Sequence, residues 1–213
     1  MENKITDLKQ GVKNPDRVNV FVDGKFSFSL DLSQVVDFHL KIGQTLTDQE
    51  LKELKHASEY GKLYGRTLEW VLTRPRSIRE TRDHLRLKRF QKNLDYTDAD
   101  IEEIIGRLVA KNYLNDRHFA EWFIENRFVK KGVSPRRLEQ ELVKKGIDRT
   151  LIDELLSSST RDEASEIKKV IAKKSNKYNA EKLLAYLVRQ GFSYDLSKEL
   201  IAESTIPNPT ATD

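Results

Sequence analysis

The chain contains no cysteine. That excludes disulfides, a cysteine nucleophile and thiolate metal sites, and it fits an expected cytoplasmic location, where thiols stay reduced. Long apolar runs are also missing. No stretch reaches the roughly 18 residues needed to span a bilayer, and the first ten residues, MENKITDLKQ, lack the apolar core of a secretory signal. No membrane association is therefore expected. Apolar residues are scarce overall, at 38%, while charged residues reach 34%, above the usual quarter. Such a chain is poorly suited to one large core. Several small cores, or an elongated array of small units, fit better.

Catalytic signatures are equally thin. His39, His56, His84 and His118 lie far apart in the chain and accompany no nucleophile motif. There is no HExxH and no Walker-type glycine-rich loop. Asp98 and Asp100 resemble a carboxylate pair, but Asp98 is explained as a helix cap. No acid, base or metal set is assembled, so neither an enzyme nor a cofactor-binding protein is expected. Trp70 and Trp122 have apolar neighbours at helical spacing and are read as core residues rather than base-stacking platforms.

What is present begins with a hairpin. Residues 17–30, RVNVFVDGKFSFSL, alternate apolar and polar residues on either side of Asp23-Gly24. That dipeptide suits a type I′ turn, in which both central residues need positive φ. Val18, Val20 and Val22 should share one face, and Phe26, Phe28 and Leu30 another. A lone hairpin is marginal in water, so it should pack on a helix such as Ser33–His39, which carries Val35, Val36 and Phe38. A further short strand is expected near Ile5–Val12. A helix capped by Asp48 should follow, reaching about Leu72 with a break near Gly61 or Gly65.

The rest of the chain repeats itself. The segments SIRETRDHLRLKRF, SPRRLEQELVKKGI and NAEKLLAYLVRQGF align without a gap. Each opens on a good N-cap residue: Ser77, Ser134 and Asn179. Each then carries Leu85, Leu142 or Leu187, and ends on Phe90, Ile147 or Phe192. The preceding position holds Arg89, Gly146 or Gly191, and glycine there suits a left-handed helix end. Asp98, Asp148 and Ser193 are placed to cap a following helix, with Ile101, Leu151 and Leu196 three residues on. Upstream, Leu68–Leu72, Phe119–Ile124 and Ile167–Ile171 supply an apolar first helix. Repeat one alone has seven extra residues, within Gln91–Thr97. The expectation is a mainly α protein. A β-hairpin and α segment occupies 1–60, and three tandem three-helix repeats at 61–110, 111–158 and 159–203 form an elongated array. A polar, proline-containing tail at 204–213 is expected to be disordered.

Charge follows the repeats. Residues 1–60 carry a net −2 and residues 61–213 a net +6, which points to a polyanionic partner. One basic cluster holds Arg74, Arg76, Arg79, Arg82, Arg86, Lys88, Arg89 and Lys92. A second holds Arg127, Lys130, Lys131, Arg136, Arg137, Lys144 and Lys145. A third holds Lys168, Lys169, Lys173, Lys174, Lys177, Lys182 and Arg189. Each surrounds the second helix of a repeat, so stacked repeats would line up three basic patches. Arg136 and Arg137 sit at a helix start, where a cation opposes the helix dipole and an external anion would offset the cost. A solvated charged face is the competing explanation.

These residues carry a resemblance. Arg74-Pro75-Arg76-Ser77, then Tyr113-Leu114-Asn115-Asp116 with Phe119-Ala120, then Pro135-Arg136-Arg137-Leu138 through Lys145-Gly146-Ile147, resemble the RecX regulatory proteins of bacteria. The Arg17-Val18-Asn19-Val20 hairpin resembles the extension of longer members, and the likeness runs over about residues 5–203. Three positions depart: Thr81 where leucine is usual, and Arg89 and Asn112 where glycine is common. Repeat one is then either looser than its companions or completed by its insertion. The resemblance implies a non-enzymatic regulator that binds the recombinase RecA. Such a protein would act along the RecA filament on DNA, in homologous recombination, DNA repair and the SOS response. It would limit filament growth, ATPase, strand exchange and coprotease activity. The alternatives are an autonomous DNA-binding helical protein and an adaptor for some other protein. A repeat array needs no dimer to complete its core, so a monomer is expected.

Overall fold

In a computed structural model of the chain, residues 3–12, 14–92 and 96–204 are described. The tail expected to be disordered lies outside them, apart from Ser204. Two compact units emerge, one within Met1–Arg74 and Arg82–Tyr113, the other within Pro75–Thr81 and Leu114–Asp213.

The first unit opens with a four-stranded antiparallel sheet, β1 (Asn3–Gln10), β2 (Arg17–Val22), β3 (Lys25–Asp31) and β4 (Thr45–Leu46), in the order β3-β2-β1-β4. The hairpin forms as its sequence demands: Val22 faces Lys25, and Asp23 and Gly24 turn with φ of 49° and 75°. Val20, Val22, Phe28 and Leu30 are buried. Phe26 is not; the register shifts at Val20/Phe21, and Phe26 meets Phe21 edge-on at the surface, 6.1 Å between centroids. The short β4 carries no alternating run, and its pairing with Asn3 and Lys4 was not foreseen.

The expected covering helix is α1 (Leu32–Asp37), but it contributes only Val35 to the core, while Val36 and Phe38 remain exposed. The cover comes from α2 (Asp48–Leu72), through Leu51, Leu54 and Ala57. Its cap is Thr47, not Asp48: the Thr47 side chain accepts from Glu50 N–H, and Glu50 reaches back in a capping box. The helix does not break at Gly61. An added Cβ there would lie 3.1 Å from Gln34 Oε1, so the glycine admits the side chain of α1. Gln34 in turn donates to Ala57 O, 3.0 Å.

The unit is completed by α3 (Ile78–Lys92) from Arg82 onward and α4 (Asp98–Ala110), whose Ile101, Ile104, Ile105 and Leu108 are buried. Repeat one departs here from its companions. With Arg89 in place of glycine, α3 runs on to Lys92 and leaves Phe90 86% exposed, unlike the aligned Ile147 and Phe192, which are buried. Tyr96, from the insertion, is buried instead and donates its hydroxyl to Leu85 O, 2.7 Å. The insertion thus completes the packing. The cap of α4 is Thr97 with Asp100 in a capping box, correcting the assignment to Asp98. Asn112 tolerates the left-handed position after α4, with φ of 57°.

The second unit contains α5 (Asp116–Asn126), α6 (Pro135–Lys144), α7 (Arg149–Ser158), α8 (Glu163–Lys174), α9 (Ala180–Arg189) and α10 (Tyr194–Glu203). One core gathers Phe119, Phe123, Leu138, Leu142, Ile147 and Ile152; another gathers Ile167, Ile171, Leu183, Leu187, Phe192 and Leu200. The expected caps Ser134, Asp148 and Asn179 accept backbone N–H groups of the first turns of α6, α7 and α9. Ser193 precedes α10 but makes no side-chain cap bond. Helices α6 and α9 both end on a left-handed glycine, Gly146 and Gly191.

One connection recurs in this unit. Ser77 Oγ donates to Lys145 O, 2.8 Å, and Ser134 Oγ donates to Gln190 O, 2.6 Å. The aligned N-cap serines therefore each also bond the end of the next repeat's second helix. The glycine after that end receives an arginine stem. A Cβ on Gly146 would lie 2.8 Å from Arg79 Cβ, and one on Gly191 would lie 3.4 Å from Arg136 Cβ.

Candidate functional site

The basic residues divide into those that brace the fold and those that meet no carboxylate among the described residues. In the first unit, Arg82 grips Glu102 with two hydrogen bonds of 2.6 and 2.8 Å. The Glu102 carboxyl is held below the ordinary glutamate range, chiefly by that contact. Arg86 and Arg89 both reach Asp98 at 3.3 Å, and Arg89 also donates to Tyr96 O. These three arginines tie α3 to α4. Arg74 belongs to the same unit. Lys88, half-buried on α3, pairs with no carboxylate among the described residues.

The second unit holds the remainder. Arg76 reaches Glu80 at 3.1 Å, and Lys145 reaches it at 3.6 Å. The stem of Arg79 lies against Gly146. Arg127 and Arg137 converge on Glu141 at 2.6 and 3.1 Å. Burial pushes the Glu141 carboxyl up, but the two guanidiniums outweigh it and hold the group low. Both stand over the Phe128 ring, 4.0 and 4.9 Å from its centroid. The dipole cost at Arg137 is thus offset from within, by the carboxylate one turn along.

Lys169 closes on Glu166 at 2.6 Å. Glu166 is 2% exposed, and it also receives Arg161 at 2.7 Å and Val133 N–H at 2.9 Å. Burial opposes its ionisation, yet these donors keep its carboxyl below the usual value. Arg161 further donates to the carbonyls of Ile124 and Arg127. One buried ion cluster therefore pins the end of α5 to α8.

Outside these braces stand Lys130, Lys131, Arg136, Lys144, Lys168 and Lys173. All are exposed, and none meets a carboxylate among the described residues. Lys174 lies over Tyr178 and Tyr186, 5.8 and 5.4 Å from the ring centroids. Arg136, Arg137 and Lys144 line a groove with Arg189, between α6 and α9. Clusters that the sequence separates by about a repeat thus share one unit. Phe128 and Tyr186 were missed; an aromatic residue in a helical pattern reads as core, and nothing in sequence reveals the φ of 51° at Phe128.

The remaining candidates are structural. His56 Nε2 is 3.4 Å from Asp100 Oδ2, and His84 stacks on Trp70 at 4.0 Å. Trp122 is half-buried against the core of α5–α7. Asp98 serves Arg86 and Arg89, and Asp100 serves the cap of α4. Among the described residues, no three His, Cys, Asp or Glu gather as a metal site, and no helix is long and apolar enough to cross a membrane.

Comparison with known proteins gives one consistent result. Residues 3–47 match the regulatory protein RecX N-terminal domain, and residues 115–156 match the second three-helix domain of RecX. A regulatory protein RecX of Bacillus licheniformis is 34% identical over 96% of this chain and 78% of its own length. That of Bacillus subtilis is 33% identical over 98% and 80%. A crystal structure of regulatory protein RecX superposes with a TM-score of 0.69 at 24% identity, covering 94% of this chain and 99% of that one. RecX from Lactobacillus salivarius gives 0.52 at 26%, over 69% and 97%.

Proposed function

This chain belongs to the RecX family of regulatory proteins, and from that premise we propose that it binds the RecA filament on DNA and restrains its growth. Restraint would extend to ATP hydrolysis, strand exchange and coprotease activity. The observation that supports this reading is a set of exposed cations in the second unit that meet no carboxylate among the described residues: Lys130, Lys131, Arg136, Lys144, Lys168 and Lys173. Left solvated, they suit a polyanionic nucleoprotein surface. The protein acts in this reading by binding, in the cytoplasm, as a monomer without a reaction or cofactor of its own.

The direct test titrates the protein into RecA hydrolysing ATP on single-stranded DNA, at two salt concentrations. Inhibition below one protein per RecA is expected, together with a weaker effect after removal of residues 159–203. Unchanged inhibition without those residues would remove bridging by several repeats. The same exposed cations favour a second reading, direct binding to DNA through phosphates. That reading requires an affinity for naked DNA falling with salt at a log–log slope of about −0.9 per neutralised phosphate. Tight naked-DNA binding with RecA turnover unaffected would replace the first reading by the second.

A further inference from the structure

Between repeats two and three, inside the second unit, lies a cavity of about 440 Å³. One side is the turn from Phe128 to Ser134 with Arg137 of α6; the other is the end of α8 and the inner face of α9. Five cations line it: Lys131, Arg137, Lys173, Lys174 and Lys177. Among the described residues, no carboxylate does. Two acids on the helices that border it are committed elsewhere, Glu141 to Arg127 and Arg137, Glu166 to Arg161 and Lys169. Gln190 is committed too, its side-chain oxygen accepting from Arg137 and its carbonyl from Ser134. The four lysines meet no acid among the described residues. Like charges converging on one concavity repel each other, and an anion placed there relieves them.

The walls are not only charged. Phe128 and Tyr186 border the space, with Val170 and Phe192 behind them. Phe128 is held at φ 51°, a conformation that a bulky side chain adopts at a cost. Tyr186 is stacked on Tyr178, 5.8 Å between centroids, and Lys174 caps the pair. A concave site of this size with apolar walls and a few convergent polar groups is typical of a small-molecule site.

We propose that this cavity binds a free nucleoside di- or triphosphate, its phosphates on Lys131, Lys173, Lys174 and Lys177 and its base against Phe128 and Tyr186. Several adjacent negative charges match several adjacent lysines, and a planar base matches aromatic carbon. A bare inorganic anion would leave the apolar half of the cavity unfilled. Binding occurs without hydrolysis, since no carboxylate lines the cavity to place a metal or activate water. The inference shares Lys131 and Lys173 with the RecA reading but does not rest on it, because its test uses the isolated protein.

The test is isothermal titration calorimetry of the full chain at low ionic strength without divalent metal. Three ligands are used: ATP, inorganic tripolyphosphate and a short oligothymidylate. One ATP site is expected, weakened about 30-fold or more by combined Lys131→Ala and Lys174→Ala. Combined Lys130→Ala and Lys144→Ala, outside the cavity, should change it less than about threefold. Tripolyphosphate should bind several-fold more weakly than ATP. Tyr186→Leu, with its fold checked by circular dichroism, should close that gap by weakening ATP alone. Absence of ATP binding up to about 1 mM would overturn the proposal, as would equal loss in both double variants. Oligothymidylate binding that depends on Lys131 and Lys174, with ATP not bound, would make the cavity part of a strand-binding groove instead.

Discussion

The second helix of repeat one and those of repeats two and three start from aligned sequences and end differently. Helices α6 and α9 stop at Gly146 and Gly191, turn left-handed, and send Ile147 and Phe192 into the core. Helix α3 carries Arg89 at that position, continues to Lys92, and leaves Phe90 outside. The glycine is therefore more than a stop signal. At Gly146 and Gly191 the missing Cβ makes room for the stem of Arg79 or Arg136, and the serine two residues before that arginine bonds the helix end. Where no such connection is made through position 89, an arginine is tolerated and gains Asp98. The core position it forfeits is supplied by Tyr96 from the insertion.

The sharpest way to break the second unit is Glu166→Gln. It leaves Arg161 buried without a full counter-charge, and a loss of about 3–5 kcal/mol in urea unfolding is expected. The same residue sets a pH dependence. Its folded carboxyl lies below the unfolded value, so its contribution is present above the unfolded glutamate range and disappears as pH falls through the lowered folded value. The wild-type urea midpoint should drop more between pH 5 and about pH 3 than that of Glu166→Gln; parallel curves would contradict the ion cluster.

Tyr96→Ala tests the substitution of one core residue for another in repeat one. A cost of about 3 kcal/mol is expected, against less than about 0.5 kcal/mol for Phe90→Ala. Equal effects would mean that the aligned phenylalanine still matters. Gly146→Val should cost about 2–3 kcal/mol, from positive φ and collision with Arg79. Arg89→Gly at the aligned position should cost only about 1 kcal/mol, through a glycine inside a helix and the lost Asp98 contact. Ser134→Ala sits at the small end, near 1–2 kcal/mol, combining a lost cap with a lost bond to Gln190 O. Asn179→Ala, whose side chain only caps α9, should lie below it.

Much of this was legible from residues alone. Alternation and Asp-Gly determine the hairpin, because strand pleat and turn dihedrals are local. Cap residues, leucine spacing and terminal glycines determine the helices of the repeats, because those preferences act within a few residues. What the pattern misjudged were positions decided by distant contacts. Phe90 and Ile147 occupy the same aligned place, yet only Ile147 is buried. Asp98 looked like a cap until Thr97 took that role, and Val36 and Phe38 looked like core until α2 covered the sheet.

The candidate interface was half legible for the same reason. Composition and clustering marked the basic residues, but not which of them find an acid. Glu102 and Asp98 claim arginines of another helix, and Glu141 claims Arg127 besides its neighbour Arg137, while Lys131, Lys173 and Lys174 converge with no acid among the described residues. The sequence by itself determined the elements and the sign of the charge, since both follow from local chemistry. Only the tertiary structure decided which cations brace the fold and which line a shared cavity, since Coulomb interactions depend on distances that a linear chain does not specify.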